Sequence, residues 1–288
     1  MELYLRILLG IAVWFITFVS GMKIYQIYKN KAKKPVPDED RIDVLRKYSE
    51  YEEIEVKNKH YPEMELNHPV PEILHKYDYS SYCNRNGDEI VFSMLDFVCD
   101  HFKHYSHGVL PSNPSLVSVV RSCEENEQKT NCRGLSLILS ELLRINGIRA
   151  RHVTCKPYEE PFRDCHVVVD CLMPSGSRIM LDPTYRLYFT DGNGEYVSLR
   201  QLREAIIAGK TLHPNKTASY NGTGFNYDEY IEYMSKNLLR LNTNYRLNDT
   251  DSISSQIELI PKGYSTKGYS RKVQYTTSPE YFWNIGEN

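Results

Sequence analysis

The stretch Lys129–Arg151, KTNCRGLSLILSELLRINGIRAR, decides the reading. Its spacing predicts an amphipathic helix that buries Leu135, Leu137, Ile138, Leu142, Leu143 and Ile145. Gly147 is placed to end that helix in the left-handed conformation, which glycine adopts at no steric cost. A cysteine, Cys132, stands where the helix begins. Helix starts present unpaired backbone N–H groups and the positive end of the helix dipole, and both favour a thiolate over a thiol. Cys132 is therefore a candidate nucleophile. Such a nucleophile needs a base, and the base needs a group to orient it.

Three strands are expected downstream: Ile148 to Cys155, Asp164 to Met173, and Arg178 to Leu181 running into Asp182-Pro183. In an extended strand His166 shares a side with Val168 and Asp170. Cys165, Val167, Val169, Cys171 and Met173 point the other way and are all apolar. After the PSGS turn signal, Ile179 and Leu181 continue the apolar set, while Asp182 falls with Arg178 and Met180. A three-residue loop, Pro174 to Gly176, pairs Met173 with Ser177 and sets Asp182 opposite Val168. His166 is then its diagonal neighbour on the same face, within reach of a carboxylate contact. A loop of two or four residues would separate the faces, so an odd loop or a bulge is required. Taken singly, each residue has a plain structural reading. A lone cysteine is usually a small hydrophobe, a strand histidine is usually structural, and an aspartate before proline is commonly a turn residue. Their conjunction carries the argument.

Upstream, Asp88 to Tyr105 places Ile90, Val91, Met94, Leu95, Val98 and Phe102 on one helical stripe. Leu110 to Ser115 breaks the chain before a short helix from Leu116 to Cys123. Downstream, SLRQ (Ser198 to Gln201) is a capping box opening a helix to about Ala208. A further helix is expected over Tyr227 to Arg240, then a polar, tyrosine-rich tail with strand-like runs such as Gln256 to Ile260. Helices, a nucleophile helix and then antiparallel strands make an α+β pattern.

The N-terminus carries an uncharged apolar run, Ile7 to Met22, and Leu3 to Tyr28 reaches the ~20 residues a spanning helix needs. A single-pass membrane anchor is expected, with a cleaved secretory signal as the alternative. Lys29, Lys31, Lys33 and Lys34 follow the run and lean the domain toward the cytoplasmic face. The domain is extracytoplasmic if the segment acts as a signal-anchor or is removed. The chain divides into an anchor over 1–28, a linker and helical lead-in over 29–80, a catalytic core over 81–200, and an extension packed on the core over 201–288.

A formal net charge of −2, with 25% charged residues, gives no electrostatic case for nucleic acid as a partner. Seven cysteines form no CxxC pair, so a zinc site is not expected, and no calcium loop is recognisable. No metal and no cofactor is expected. Asn215, Asn221 and Asn248 begin N-x-[ST] sequons, which matter only in a eukaryotic secretory setting.

NCRGLSLILSELLRINGIRARHV, DCHVVVDCLM and RIMLDPTY, in that order, resemble the transglutaminase-like cysteine superfamily, in particular its bacterial members. The resemblance covers Asp88 to Tyr185. It implies a papain-like α+β core, with the nucleophile helix packed on an antiparallel sheet, and a Cys132–His166–Asp182 triad. The activity implied is thiol hydrolysis or acyl transfer on an amide through a thioester, a peptidase or amidase ahead of a protein cross-linker. The substrate expected is a peptide or protein, glycan- or cell-wall-linked peptides included. A non-catalytic binding module keeping the fold is the rival. Some family members are described with an upstream tryptophan at the oxyanion site, but the tryptophans here are Trp14 and Trp283. The backbone N–H of Cys132 is the simplest oxyanion donor, joined by Gln128 or by a tyrosine or histidine of HFKHYSHG (His101 to Gly108).

Overall fold

A computed structural model describes residues 20, 34–52, 64–244, 256–267, 269–270 and 272–284. The helices are α1 (Arg41–Lys47), α2 (Tyr79–Cys83), α3 (Glu89–His101), α4 (Leu116–Glu125), α5 (Cys132–Ile145), α6 (Leu199–Ala208), α7 (Tyr227–Asn237) and α8 (Pro279–Trp283). The strands are β1 (Lys103–His104), β2 (Lys129–Thr130), β3 (Arg149–Lys156), β4 (His166–Leu172), β5 (Arg178–Leu181), β6 (Phe189–Thr190), β7 (His213–Pro214), β8 (Arg240–Asn244), β9 (Gln256–Leu259) and β10 (Gln274–Thr276). Apart from Ser20, the apolar run at 7–22 lies outside the described residues. Among the described residues no helix is long and apolar enough to cross a membrane.

The central sheet runs β10-β9-β8-β3-β4-β5, antiparallel except for the β10–β9 pair. β4 and β5 pair Val169 with Leu181 and Cys171 with Ile179, and the Met173 N–H donates to the Ser177 carbonyl at 2.8 Å across the three-residue loop. That is the register the hydrophobic alternation requires. Gly147 ends α5 at φ +76°.

Both faces of the sheet are buried. On one, α3, α4 and α5 bring Ile90, Val91, Val120, Leu135, Ile138 and Leu142 against Val169, Cys171, Ile179 and Leu181. On the other, Val153, Val168 and Met180 lie under Leu202, Tyr230, Met234, Leu241, Ile257 and Phe282. The residues past 200 therefore do more than pack on the core: they add β8, β9 and β10 to its sheet and supply the second layer. A sheet apolar on both faces needs cover on both. The expected helix 227–240 stops at Asn237 because Arg240 begins β8, beside β3.

Candidate functional site

The site lies where the start of α5, the start of β4 and the end of β5 meet. Asn131 is the N-cap of α5, and its Oδ1 accepts the Gly134 N–H at 3.0 Å, so Cys132 occupies the first helical position. Gly134 cannot be larger without displacement: a Cβ there would stand 2.1 Å from Thr130 Oγ1. The tight turn holds the sulfur at the helix start, half-buried, while Ser136 one turn on ties the helix to β4 through the Val167 carbonyl at 2.8 Å.

His166, 2% exposed, opens β4 opposite Cys155 of β3. Its Nε2 lies 2.6 Å from Asp182 Oδ2, and the imidazole interacts with the Cys132 thiol as well. Asp182, fully buried, follows β5 and is held by a turn in which its Oδ1 accepts the Thr184 N–H at 2.9 Å and its N–H donates to the Leu187 carbonyl at 2.8 Å. The structure thus brings together the three residues singled out from the sequence, Cys132, His166 and Asp182.

The electrostatics follow from these contacts. Burial pushes the Cys132 thiol up, but hydrogen bonds from His104 and His166 and the charge of His166 outweigh it and bring the thiol down to about 6. Burial pulls the His166 imidazole down, while the charge and hydrogen bond of Asp182 and its contact with Cys132 raise it to about 10. Between those values the resting pair is thiolate and imidazolium. Three other thiols shift the opposite way: burial raises Cys99 and Cys123 to about 12 and Cys165 to about 11. All seven cysteines are free.

Two contributors were not singled out in the sequence. Tyr230 of α7, 2% exposed, donates its hydroxyl to Asp182 Oδ2 at 2.9 Å, the oxygen that also faces His166. His104, one of the candidates in HFKHYSHG, lies across from Thr130 at the start of the nucleophile turn and helps lower the Cys132 thiol. Gln128, considered with it, is engaged by the Tyr77 hydroxyl at 3.3 Å. Tyr233 of α7 adds an edge-on ring contact to His166 at 5.4 Å and donates to the Cys165 carbonyl at 3.2 Å. No local sequence signal could have found Tyr230, because its contact spans 48 residues and depends on α7 crossing the sheet.

Two of the three sequon asparagines are structural. Asn215 Nδ2 donates to the Arg186 carbonyl at 2.9 Å, and Asn221 Nδ2 donates to the His104 carbonyl at 3.0 Å. Asn248 lies outside the described residues. Among the described residues no group of three or more His, Cys, Asp or Glu side chains is placed to hold a metal ion.

No family model matches the chain, and a search of curated proteins found no match. Solved structures that align include a cysteine-protease candidate from Cytophaga hutchinsonii, 16% identical at a TM-score of 0.32, covering 62% of this chain and 64% of that one. Others are a TGase, 17% identical at a TM-score of 0.29 over 57% and 37%, and a protease candidate from Parabacteroides distasonis, 11% identical at 0.26 over 43% and 28%. The chain spans less than two thirds of the length of each of these proteins. Likenesses at this level carry no argument about function, which rests on the geometry of the site.

Proposed function

We propose that the chain is a cysteine hydrolase or acyltransferase of transglutaminase-like type, acting on an amide of a peptide or protein, with Cys132 as nucleophile, His166 as acid–base and Asp182 as the group that orients and supports the imidazole. The observation that supports it is the buried His166–Asp182 pair, Nε2–Oδ2 at 2.6 Å, beside a helix-start cysteine whose thiol His166 helps bring down to about 6. A binding module has no need of a thiol held as a thiolate.

The steps follow from protonation states. The Cys132 thiolate adds to the amide carbonyl carbon, and the carbonyl oxygen becomes an oxyanion facing the backbone N–H of Cys132. The His166 imidazolium passes its proton to the leaving nitrogen, the C–N bond breaks and a thioester remains. Neutral His166 then takes a proton from water as the oxygen attacks the thioester. The acid leaves and the thiolate returns beside the imidazolium. An amine in place of water gives transamidation.

The N-terminal apolar run is proposed to anchor the chain in a membrane, with the lysines after it leaning the domain to the cytoplasmic face. Alkaline carbonate extraction of membranes should leave the full-length chain in the pellet; release to the supernatant removes the anchor.

The test of the activity is mass spectrometry of a peptide library incubated with the full-length chain, with and without a primary amine. Hydrolysis products lost in Cys132→Ser support the reading. Amine-adducted products point to cross-linking instead. An acyl probe that labels Cys132 equally in the wild type and in His166→Ala removes the triad.

A further inference from the structure

A second imidazole is held beside the turn that carries the nucleophile, and several contacts fix it there. His104 ends β1, which runs parallel to β2 with His104 opposite Thr130, two residues before Cys132. The Tyr105 N–H donates to the Thr130 carbonyl at 2.7 Å. Gly108 then passes so close to the nucleophile turn that a Cβ would meet Asn131 N at 2.8 Å, and Asn131 Nδ2 donates to the Gly108 carbonyl at 2.7 Å. From the opposite side Asn221, at φ +51°, grips the His104 backbone with both amide atoms: Oδ1 accepts the His104 N–H at 2.8 Å and Nδ2 donates to its carbonyl. The neighbouring Tyr220 places its hydroxyl 3.0 Å from His104 Nδ1.

We propose that His104 is a second catalytic residue, donating a ring N–H first to the Cys132 thiolate and then, with the Cys132 backbone N–H, to the oxyanion, and that Tyr220 is the positioning residue that fixes its tautomer. This rests on the reading of Cys132 as the nucleophile. A thiolate only accepts hydrogen bonds, so the imidazole nitrogen facing it carries a proton. A ring with a single proton then has Nδ1 as an acceptor, and the Tyr220 hydroxyl must donate to it. The two histidines divide the work: His166 moves the proton, and His104 keeps its own. The loop carrying Tyr220 and Asn221 lies more than a hundred residues beyond His104. The C-terminal region thereby sets the donor side of the site.

Two probes applied to the full-length chain separate the roles. Iodoacetamide needs the thiolate and forms no oxyanion; p-nitrophenyl acetate needs both. At pH 9, His104→Ala is expected to lower the p-nitrophenolate burst rate by about 10²–10³-fold, the usual loss of one oxyanion donor, while alkylation of Cys132 changes by less than about threefold. His104→Gln, which keeps an N–H donor, should recover most of the burst, and this guards against a merely misfolded alanine variant. Tyr220→Phe should lower the burst less, and nitrogen-15 spectra of labelled histidine should show the single His104 tautomer of the wild type become a mixture. A burst in His104→Ala within threefold of the wild type, or a glutamine variant no better than a folded alanine variant, overturns the role of His104. An unchanged tautomer in Tyr220→Phe overturns the role of Tyr220. If the burst survives in Cys132→Ser, the reading of the nucleophile itself has failed, a result distinguishable from either.

Discussion

On one face of the central sheet α3 and α5 press Ile90, Val91, Leu135 and Ile138 onto Val169, Cys171 and Leu181, a layer of mostly aliphatic side chains. The other face is covered by a layer that mixes Leu202, Met234 and Phe282 with buried charge. Arg240, 1% exposed, pairs with Glu258 at 2.8 Å and with Glu160 at 2.9 Å, and Lys156 reaches Glu258 at 2.6 Å. Arg203 spends its guanidinium on the carbonyls of Leu238, Ser49 and Tyr48. The first layer is held by area removed from water, which is tolerant of detail. The second depends on each buried polar group finding its partner, and loss of one partner leaves an uncompensated charge. The site uses both: Cys132 comes with the aliphatic layer's helix, while Tyr230 and Tyr220 reach it from the polar layer.

The largest test of that difference is to remove part of the second layer. A chain ended at Leu239 loses β8, β9, β10 and α8, baring the edge of β3 and part of one face of the sheet. It is expected to show no cooperative thermal transition by circular dichroism. A sharp transition with a wild-type p-nitrophenolate burst would mean that the fold and the site need none of the added strands.

A pair of cysteines sharpens the contrast between site and layer. Cys132→Ser should abolish the burst, since it removes the attacking atom, and leave the melting temperature near wild type when measured below about pH 6, where the thiolate contributes no stability. Cys171→Ser should do the reverse. Cys171 is fully buried in the aliphatic layer, and a hydroxyl without a partner there costs about 1–3 kcal/mol. Chemical denaturation and burst amplitude on both variants check the exchange. Alkylation found on Cys171 in place of Cys132 would undo it.

The ionisations give a signed prediction. Alkylation of Cys132 should rise as pH passes about 6, where an ordinary thiol would respond near 9.0. The lowered thiol contributes stability that is full above 9.0 and lost as pH falls through about 6. The raised imidazole contributes stability that is full below 6.5 and lost as pH rises through about 10. Between 6.5 and 9.0 the two slopes oppose each other, so the pair leaves the melting temperature level there while the alkylation rate has already climbed. An alkylation midpoint near 9.0 would show that the thiolate is not held.

Much of this molecule was legible from its apolar spacing. The stripes of α3 and α5, the odd turn after Met173, and the juxtaposition of His166 with Asp182 all follow from residues close in sequence, where period and turn chemistry act locally. The second layer was not legible for a physical reason. β8 reads RLNTN and is buried at every position, with Arg240 held by Glu258 and Glu160 and Thr243 donating to the His152 carbonyl. Polar residues announce a surface, and only the tertiary partners of Arg240, Glu258 and Thr243 make them core. His104 stood among several residues of equal promise until β1 was paired with β2 and its backbone clamped by Asn221.

The smallest expected effect bears most directly on how the two layers cooperate. Tyr230→Phe removes one oxygen. The ring keeps its contacts with Phe225 at 5.6 Å, Phe189 at 5.8 Å and Tyr185 at 5.2 Å, so the polar layer should stand. Asp182 Oδ2 would then face His166 alone, while Oδ1 keeps the Thr184 N–H. With one fewer donor sharing its charge, the carboxylate pulls harder on the imidazolium, so His166 should hold its proton to a higher pH than in the wild type. An imidazolium held more tightly gives its proton less readily to a leaving nitrogen. Amide cleavage is therefore expected to slow by about tenfold, the scale of one hydrogen bond to a charged group, whereas alkylation of Cys132, which needs no proton transfer, should not change. Nitrogen-15 titration of His166 alongside cleavage of a peptide drawn from the library reads both effects. A slowed cleavage with an unmoved His166 titration would assign Tyr230 to packing alone, and the polar layer would then reach the triad through shape and not through charge.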